Sequence, residues 1–149
     1  RGRVTSFLDT AAADGIPILA QAQIDSAAPK GGYYVTPTLY GPVPRGNQLA
    51  KEEVFGPVLS VTTFEDEATA ISLANGTDYG LAAGVWTSNL SRAHRMVRAL
   101  HCGVVHVNTY GGPDVTVPLG GVGQSGNGSD KSLHAISKYQ NLKTAWMQL

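Results

Sequence analysis

The sequence is poor in the features that mark secreted, membrane and nucleic-acid-binding proteins. Its 149 residues include one cysteine, so no disulfide can form within the chain and a reducing compartment is indicated. No apolar run has the length of a transmembrane helix. Eleven basic and eleven acidic residues leave no basic field to hold a polyanion. We therefore expect a cytoplasmic protein that binds neither nucleic acid nor membrane.

The composition otherwise predicts about one folded domain. A hydrophobic content of 42% and a charged content of 15% are typical of globular chains that bury a sizeable core. The first residue is Arg1 rather than methionine. An amphipathic helical pattern begins almost at once, with apolar side chains at Val4, Phe7, Leu8 and Ala11. We expect a piece of a longer protein, and such a piece can carry only part of a catalytic site.

Helix and strand signals alternate along the chain. Apolar periodicity and capping residues predict helices at 3–14, 65–74, 90–100 and 131–139. Runs of β-prone residues predict strands at 16–20, 33–40, 59–64, 81–87 and 104–108. Pro37 places the second of these strands at a sheet edge or a bulge. The alternation from residue 59 onward predicts an α/β fold with a parallel layer and right-handed crossovers.

The last forty residues contain two segments of a different kind. Residues 110–128 have no helical or strand period and are rich in glycine, which in a loop of this length indicates function or disorder. Residues 142–149 have an alternating pattern that includes β-prone side chains, and no later element is available to pair with them. They predict a strand that joins another sheet, in the same chain or in a partner.

Charge, an aromatic ring and a turn are combined in residues 51–58, KEEVFGPV. Glu52 and Glu53 precede an apolar run and cannot both be buried unpaired, because an unpaired buried charge is costly. Phe55 supplies a flat apolar face, and the Gly-Pro pair after it predicts a turn that holds it. On this segment alone, a solvated glutamate pair ahead of an ordinary buried strand remains the favoured interpretation.

Three other features resemble functional sites only superficially. Cys102 follows a predicted helix whose C-terminal dipole disfavours a thiolate, so it is interpreted as a small buried residue. Residues 121–126 match G-x-G-x-x-G, but the following strand with an acidic residue that a dinucleotide fingerprint needs is missing. No metal site is expected, because none of the four histidines has a partner at the sequence spacing of metal ligands. These histidines are His94, His101, His106 and His134.

Six ordered segments together resemble the C-terminal part of the aldehyde dehydrogenase superfamily. They are GYYVTPTL at 32–39, KEEVFGPV at 51–58, NGTDYGLAAGVWT at 75–87, GVVHVNTY at 103–110, PLGG at 118–121 and SGNG at 125–128. The resemblance implies that residues 1–141 are the C-terminal portion of a catalytic domain and that residues 142–149 are an oligomerisation strand. Within the superfamily, residues 125–146 resemble the bacterial γ-glutamyl-γ-aminobutyraldehyde dehydrogenases of putrescine catabolism.

The resemblance implies oxidation of a small aldehyde to a carboxylic acid with NAD or NADP as cofactor. In the family a cysteine thiolate attacks the carbonyl, hydride passes to the nicotinamide, and a glutamate-activated water releases the acid. The nucleophile, the general base and the dinucleotide domain come earlier in such chains. We therefore expect no catalytic residue here, including Cys102, where the family usually has a small residue. The isolated chain is expected to be inactive.

The resemblance also assigns cofactor-binding residues. Glu53 matches the family glutamate that takes the nicotinamide-ribose hydroxyls, and Phe55 matches the aromatic residue beside the nicotinamide. Glu52 is then the solvated neighbour of the working carboxylate. The favoured interpretation of residues 51–58 is thereby reversed, from an ordinary strand entry to half of a cofactor site.

The loop from Tyr110 to Leu119 matches the family's substrate-entry loop. Leu119 replaces a phenylalanine common at this place, which leaves the pocket without that aromatic wall. Asp114 either faces a cationic or amide-bearing substrate tail or is an exposed loop residue. Ser129-Asp130 replaces the usual Arg-Glu pair, and a charge that the family uses for local pairing is expected to be lost.

Two alternatives to this function remain open. One is a non-catalytic α/β assembly module whose terminal strand binds a partner. The other is a superfamily member that applies the same thiohemiacetal chemistry to a phosphorylated or CoA-linked substrate. The enzyme and the assembly module both predict a homo-oligomer formed through the C-terminal strand.

Overall fold

The computed structural model of the protein describes residues 1–111 and 114–149. The chain divides into two units, Arg1–Thr77 and Asp78–Leu149. Both units contain helices and short strands, so the predicted α/β class is confirmed at the level of secondary structure. In the described part of the chain, no helix combines the length and the apolar character that crossing a membrane requires.

Helix α1 (Gly2–Ala13) opens the first unit and agrees with the helix predicted from apolar spacing. Val4, Phe7 and Ala11 lie on its buried face. Gly15 follows the helix at φ 67°, a left-handed conformation that glycine adopts without steric cost. Because the buried face begins in the first turn, the start of α1 is held against the rest of its unit.

A three-stranded sheet is formed by β1 (Ile18–Gln21), β2 (Thr38–Tyr40) and β3 (Val58–Ser60), in that order. β1 is antiparallel to β2, and β2 is parallel to β3. The strand predicted at 33–40 is therefore shorter than expected and central rather than at an edge. Pro37 explains both differences, because it has no N–H to donate and the ladder begins at the next residue.

Two helices precede and follow β3 in the chain. α2 (Gln48–Lys51) begins at Asn47, whose side chain accepts a hydrogen bond from the Leu49 N–H at 2.9 Å. α3 (Glu67–Ala74) begins at Asp66, whose carboxylate accepts one from the Thr69 N–H at 2.7 Å. The helix predicted at 65–74 is confirmed, with Asp66 as its N-cap.

The core of the first unit joins α1 to the chain around α2. Its buried members are Val4, Phe7, Ala11, Ile16, Tyr40, Val43, Leu49 and Val54. Burial of such side chains typically stabilises a fold by about 1.5–3 kcal/mol each. Val54 therefore anchors the segment between α2 and β3 to the same core that holds α1.

The second unit is built around a parallel pair of strands. β4 (Tyr79–Gly80) comes first, and β5 (Ala82–Val85), α4 (Leu90–Ala99) and β6 (Val104–Val107) follow it. β5 and β6 pair in parallel, with Ala82 opposite Val104. This strand–helix–strand succession was predicted and is confirmed. On α4, Ala93 and Met96 are buried, whereas Val97 is 43% exposed and lies outside the buried face.

Three short strands and a 3₁₀-helix complete the second unit. β7 (Leu119–Gly120) pairs with β9 (Ser129–Asp130), and β8 (Val122–Gly123) pairs with β4, both antiparallel. Residues 110–128 were expected to contain no strand, so β7 and β8 correct that expectation. The helix predicted at 131–139 is a 3₁₀-helix, Leu133–Tyr139, because Lys131 and Ser132 both have positive φ and exclude a regular α-helical start.

The prediction of one parallel layer from residue 59 onward is wrong. β3 pairs with β2 in the first unit, and β5 pairs only with β6 in the second. The strand period of residues 59–64 was recognised, but the neighbour of β3 is an earlier strand that the pattern does not reveal. Residues 142–149 form no strand within the described chain, and Trp146 among them is 93% exposed. Their pairing with another sheet stays a prediction.

Candidate functional site

Residues 52–56, named here the strap, connect α2 to β3 and present two side chains to solvent. Val54 in the middle of the strap is buried in the core, at 8% exposure. Its neighbours Glu53 and Phe55 are exposed, Phe55 at 77%. With Val54 buried between them, both predicted cofactor residues remain on the exposed surface.

The strap backbone is held in an uncommon conformation at Phe55. This residue has φ 56°, in the left-handed region that costs a bulky side chain about 1–2 kcal/mol. The next residue, Gly56, packs its backbone against the side chain of Val4, and a β-carbon at position 56 would lie 2.7 Å from Val4 Cγ2. Contacts on both sides of Phe55 thus hold its ring on a fixed piece of backbone.

Glu52 is exposed, as expected of a solvated neighbour, and it also has partners on α1 and α2. Its carboxylate lies 3.6 Å from Arg3 Nη2 and accepts a hydrogen bond from Gln48 Nε2 at 3.1 Å. Arg3 also donates to the backbone carbonyl of Glu53 at 2.8 Å, and its guanidinium lies 4.9 Å from the centroid of the Phe7 ring. An exposed ion pair of this kind contributes about 0–1 kcal/mol. Its importance is that it orients the arginine.

The Glu53 carboxylate makes no hydrogen bond or ion pair with any residue that the structure describes. An ionised carboxylate has two acceptor oxygens and can receive two hydroxyl groups at once. Glu53 is therefore available for a vicinal diol, while its own backbone carbonyl is occupied by Arg3. This is the chemistry that a ribose requires.

The two candidate cofactor residues lie on an open surface of this chain rather than in a cavity. An apolar groove of about 640 Å³ runs beside the end of the strap and is bounded by Gly56, Pro57 and the three strands, but Glu53 and Phe55 do not line it. A second groove of about 690 Å³, between α2, β3 and α3, does not include them either. Glu53 and Phe55 can accordingly form one side of a binding site.

In the second unit, Tyr110 begins the predicted substrate-entry loop. Its ring is 77% exposed and packs at a tilt of 52° against His106, with 5.6 Å between ring centroids. Asn108, two residues earlier, donates to the Thr87 carbonyl at 2.9 Å and accepts from the Thr87 N–H at 2.8 Å. These two bonds tie the end of β6 to the end of β5 and fix where the loop starts.

Asn108 was not identified from the sequence. The signal was available, because asparagine directly after a β-branched strand tolerates the left-handed conformation, and Asn108 has φ 53°. Its amide side chain offers both a donor and an acceptor to the backbone of one neighbouring residue. Asn108 therefore supports the loop rather than lining it.

Asp114 is exposed, and one of its oxygens is already used within the loop. Its carboxylate accepts a hydrogen bond from the Thr116 N–H at 2.9 Å, and this bond lowers the pKa of Asp114 below its usual value. The side chain is thus an exposed anion that is held within its own loop by Thr116. Residues 112 and 113 of the predicted substrate-entry loop lie outside the described part of the chain.

Leu119, the last residue of the predicted loop, is half-buried in β7 opposite Asp130 of β9. The charge expected to be lost at Ser129 is absent, but Asp130 still has an ion-pair partner. Asp130 accepts a hydrogen bond from Lys138 Nζ at 2.9 Å, and this contact lowers the pKa of the Asp130 carboxyl. An ion pair between β9 and the 3₁₀-helix therefore holds the strand against which Leu119 packs.

Cys102 has the environment of a structural thiol. Burial raises its pKa, and Sγ donates a hydrogen bond to the Val104 carbonyl at 3.3 Å. A raised pKa keeps the thiol protonated near neutral pH, whereas a nucleophile needs the thiolate. The geometry supports the interpretation of Cys102 as a non-catalytic residue between α4 and β6.

The G-x-G-x-x-G match at 121–126 has a packing explanation. Gly123 has φ 59° and lies opposite Tyr79 in the β4–β8 pair, where a side chain would collide with the Asp78 carbonyl. After the match comes the short strand β9 rather than the helix of a dinucleotide fingerprint. Among residues 1–111 and 114–149, no three His, Cys, Asp or Glu side chains are grouped as metal ligands would be.

Comparison with known sequences relates the chain to one family. The model of the aldehyde dehydrogenase family matches residues 1–145. The chain is 55% identical over 115 residues to the NADP/NAD-dependent aldehyde dehydrogenase PuuC of Escherichia coli. This match covers 77% of this chain and 23% of PuuC. It is 41% identical over 147 residues to a betaine aldehyde dehydrogenase of Rhizobium etli, covering 99% of this chain and 30% of that protein.

Solved structures show the same relationship. The aldehyde dehydrogenase KauB of Pseudomonas aeruginosa superposes with a TM-score of 0.89 at 49% identity. The indole-3-acetaldehyde dehydrogenase AldA of P. syringae, solved in complex with NAD+ and IAA, superposes with a TM-score of 0.89 at 50% identity. Each match covers 99% of this chain and 30% of the other. The chain thus spans less than a third of the length of these relatives.

Proposed function

Because this chain belongs to the aldehyde dehydrogenase family, we propose that it is the C-terminal part of an enzyme that oxidises an aldehyde to a carboxylic acid with NAD+ or NADP+. The observation that carries the proposal is the strap, on which a carboxylate without a partner among the described residues and an aromatic ring are both exposed, two residues apart. The names of two relatives support the cofactor, since PuuC is described as NADP/NAD-dependent and AldA was solved with NAD+.

In this proposal the strap orients the cofactor. The nicotinamide dinucleotide, when bound, supplies the hydride acceptor. Glu53 accepts the two hydroxyl hydrogens of the nicotinamide ribose, and Phe55 covers the adjoining ring with its apolar face. Because the backbone of both residues is held by the core and by α1, the two contacts set the direction of the reacting carbon rather than merely its affinity.

The same proposal places the thiolate nucleophile and the general base outside this chain. Cys102 is a protonated, partly buried thiol, and no other cysteine exists in the sequence. The isolated chain is therefore inactive in this account. Sustained formation of NADH by the isolated chain, given an aldehyde and NAD+, would contradict it.

We place the substrate near the loop that begins at Tyr110 and ends at Leu119. Asp114 in this loop is an exposed anion, which favours an aldehyde whose tail is cationic or carries an amide. Replacement of Asp114 by Asn should raise the KM for such an aldehyde and leave the KM for an uncharged aliphatic aldehyde unchanged. Equal effects on the two substrates would remove Asp114 from the substrate site.

We further propose a cytoplasmic homo-oligomer assembled through residues 142–149. The segment is exposed along its length, has no strand partner among residues 1–111 and 114–149, and carries Leu142, Trp146 and Met147 at more than 80% exposure. Backbone and apolar groups left open in this way favour addition to another sheet. Removal of 142–149 from the full-length enzyme should reduce its mass in light scattering, and an unchanged mass would refute the role.

The test of the cofactor assignment is Glu53→Gln in the full-length enzyme. The amide retains the shape of the side chain but has one acceptor oxygen instead of two, so it cannot receive both ribose hydroxyls. We expect hydride transfer in a single turnover to slow by about 10- to 100-fold, with a smaller change in the Kd of NAD+. Glu65→Gln is the matched control, since Glu65 is another exposed glutamate of the same unit. Hydride transfer equal in the two variants would overturn the proposed function.

A further inference from the structure

The first turn of α1 lies against the strap at three points. Val4 contacts the backbone of Gly56, and Val4 and Val54 belong to the same buried cluster. Arg3, the residue before Val4, donates to the carbonyl of Glu53 at 2.8 Å. The strap is therefore held from below by apolar packing and at its edge by one charged hydrogen bond.

The bond from Arg3 acts on the peptide group that follows Glu53. A carbonyl that accepts a charged donor at 2.8 Å resists rotation, because turning the peptide plane would break a charge-assisted hydrogen bond. A fixed plane limits rotation about the Cα–C bond of Glu53, and the Glu53 side chain branches from that Cα. Arg3 can thus control the Glu53 carboxylate without touching it.

The guanidinium of Arg3 is itself fixed on two further sides. It lies over the ring of Phe7 at 4.9 Å, and the Glu52 carboxylate stands 3.6 Å from Nη2. Gln48 holds the other oxygen of that carboxylate at 3.1 Å. Arginine suits this position because its planar guanidinium can stack on a ring while it donates a hydrogen bond, whereas the ammonium of lysine has no flat face to stack.

We propose that Arg3 is a positioning residue for the cofactor contact of Glu53. The inference rests on the proposed function, since it concerns the direction in which Glu53 meets the nicotinamide ribose. Arg3 fixes the peptide plane after Glu53, the fixed plane aims the carboxylate, and the carboxylate orients the ring that receives the hydride. Arg3 contacts neither substrate nor cofactor in this account.

The experiment compares Arg3→Met with Arg1→Met in the full-length enzyme. Methionine retains an unbranched stem and removes the donors. Arg1 is an exposed arginine at the start of the same helix and serves as the control for lost charge. We expect Arg3→Met to slow hydride transfer about 10-fold and to change the Kd of NAD+ by less than about threefold. The kinetic isotope effect from an aldehyde deuterated at the carbonyl carbon should rise, as a purely structural defect would not predict.

A conservative variant keeps the test decisive if Arg3→Met is poorly folded. Arg3→Lys keeps the charge and can donate to the Glu53 carbonyl, so its hydride-transfer rate should lie between wild type and Arg3→Met. Rates of Arg3→Met and Arg3→Lys equal to that of Arg1→Met would overturn the proposal. So would a lower unfolding temperature with an unchanged rate.

A double-mutant cycle separates the failure of this inference from failure of the proposed function. If Arg3 acts through Glu53, then adding Arg3→Met to Glu53→Gln should slow hydride transfer by less than about twofold further. If Glu53→Gln is slow and Arg3→Met is not, the inference about Arg3 is wrong and the proposed function stands. If Glu53→Gln itself is as fast as wild type, the proposed function fails.

Discussion

Single residues of the strap illustrate how one backbone conformation serves binding. Phe55 adopts φ 56°, which has a conformational cost. Its side chain is 77% exposed, so burial of the ring does not offset that cost. Such strain persists where the surroundings over-determine the backbone, and it is common at ligand sites. Here the surroundings are the buried Val54 on one side and the close packing of Gly56 on the other.

The contact between Gly56 and Val4 yields a stability prediction. Gly56→Ala places a methyl group 2.7 Å from Val4 Cγ2, and Val4 is only 7% exposed and cannot move aside easily. We expect a loss of about 1–3 kcal/mol in the free energy of unfolding. Urea denaturation followed by tryptophan fluorescence measures it.

The control for that substitution is Gly46→Ala. A β-carbon at Gly46 meets nothing within 4 Å, and the change should alter the free energy of unfolding by less than about 0.5 kcal/mol. Equal urea midpoints for the two variants would show that Val4 yields to the added methyl group, and the strap would then be less tightly held than described.

For single residues, the sequence indicated which side chains belong to the candidate site but not which contacts hold them in place. Glu53 and Phe55 stand out in KEEVFGPV because a carboxylate pair, a ring and a Gly-Pro turn coincide. The role of Arg3 is invisible in that segment, since it reaches the strap from fifty residues earlier and depends on the packing of α1.

Among the elements, α3 shows a local signal that is sufficient by itself. Asp66 precedes Glu67–Ala74 and caps it through the Thr69 N–H, as a row of acidic residues at a helix start predicts. This hydrogen bond lowers the pKa of the Asp66 carboxyl below its ordinary value of 3.8. The cap is therefore expected to depend on pH.

The sign of that dependence follows from the direction of the pKa shift. Because the pKa is lower in the folded state, the stabilisation is complete above the ordinary value and is lost as pH falls through the folded value. We expect Asp66→Ala to destabilise the protein near neutral pH and to approach wild type in acid. Unfolding midpoints measured across this range test it.

Asp66→Asn provides the comparison, since asparagine caps helices well and does not titrate. The difference in unfolding free energy between Asp66→Asn and Asp66→Ala should stay constant with pH. A wild-type advantage over Asp66→Ala that did not shrink in acid would rule out the ionised carboxylate as the origin of the cap's strength.

Strand pairing was harder to predict than helix caps. β5, α4 and β6 form the expected parallel unit because their apolar runs and the Asn89 cap are contiguous in the chain. β3 pairs with β2 instead of joining that layer, and such a choice depends on tertiary packing rather than on local pattern. The short strands β7 and β8 contain glycines that obscure any period of two.

For the molecule as a whole, the proposed function gives this chain a cofactor-binding surface and places the nucleophile in another segment of the enzyme. The family match extends over residues 1–145, yet the chain spans 23% to 30% of its relatives PuuC and betaine aldehyde dehydrogenase. Its single thiol is protonated and bonded to a backbone carbonyl. A surface that orients a cofactor and a separate segment that supplies the nucleophile account for both facts.

The most direct test of this account is a crystal structure of the full-length enzyme with bound NAD+. The account predicts that both carboxylate oxygens of Glu53 lie about 2.5–3.0 Å from the two hydroxyls of the nicotinamide ribose, with the ring of Phe55 beside the nicotinamide. A ribose held by other residues, with Glu53 directed into solvent, would contradict it.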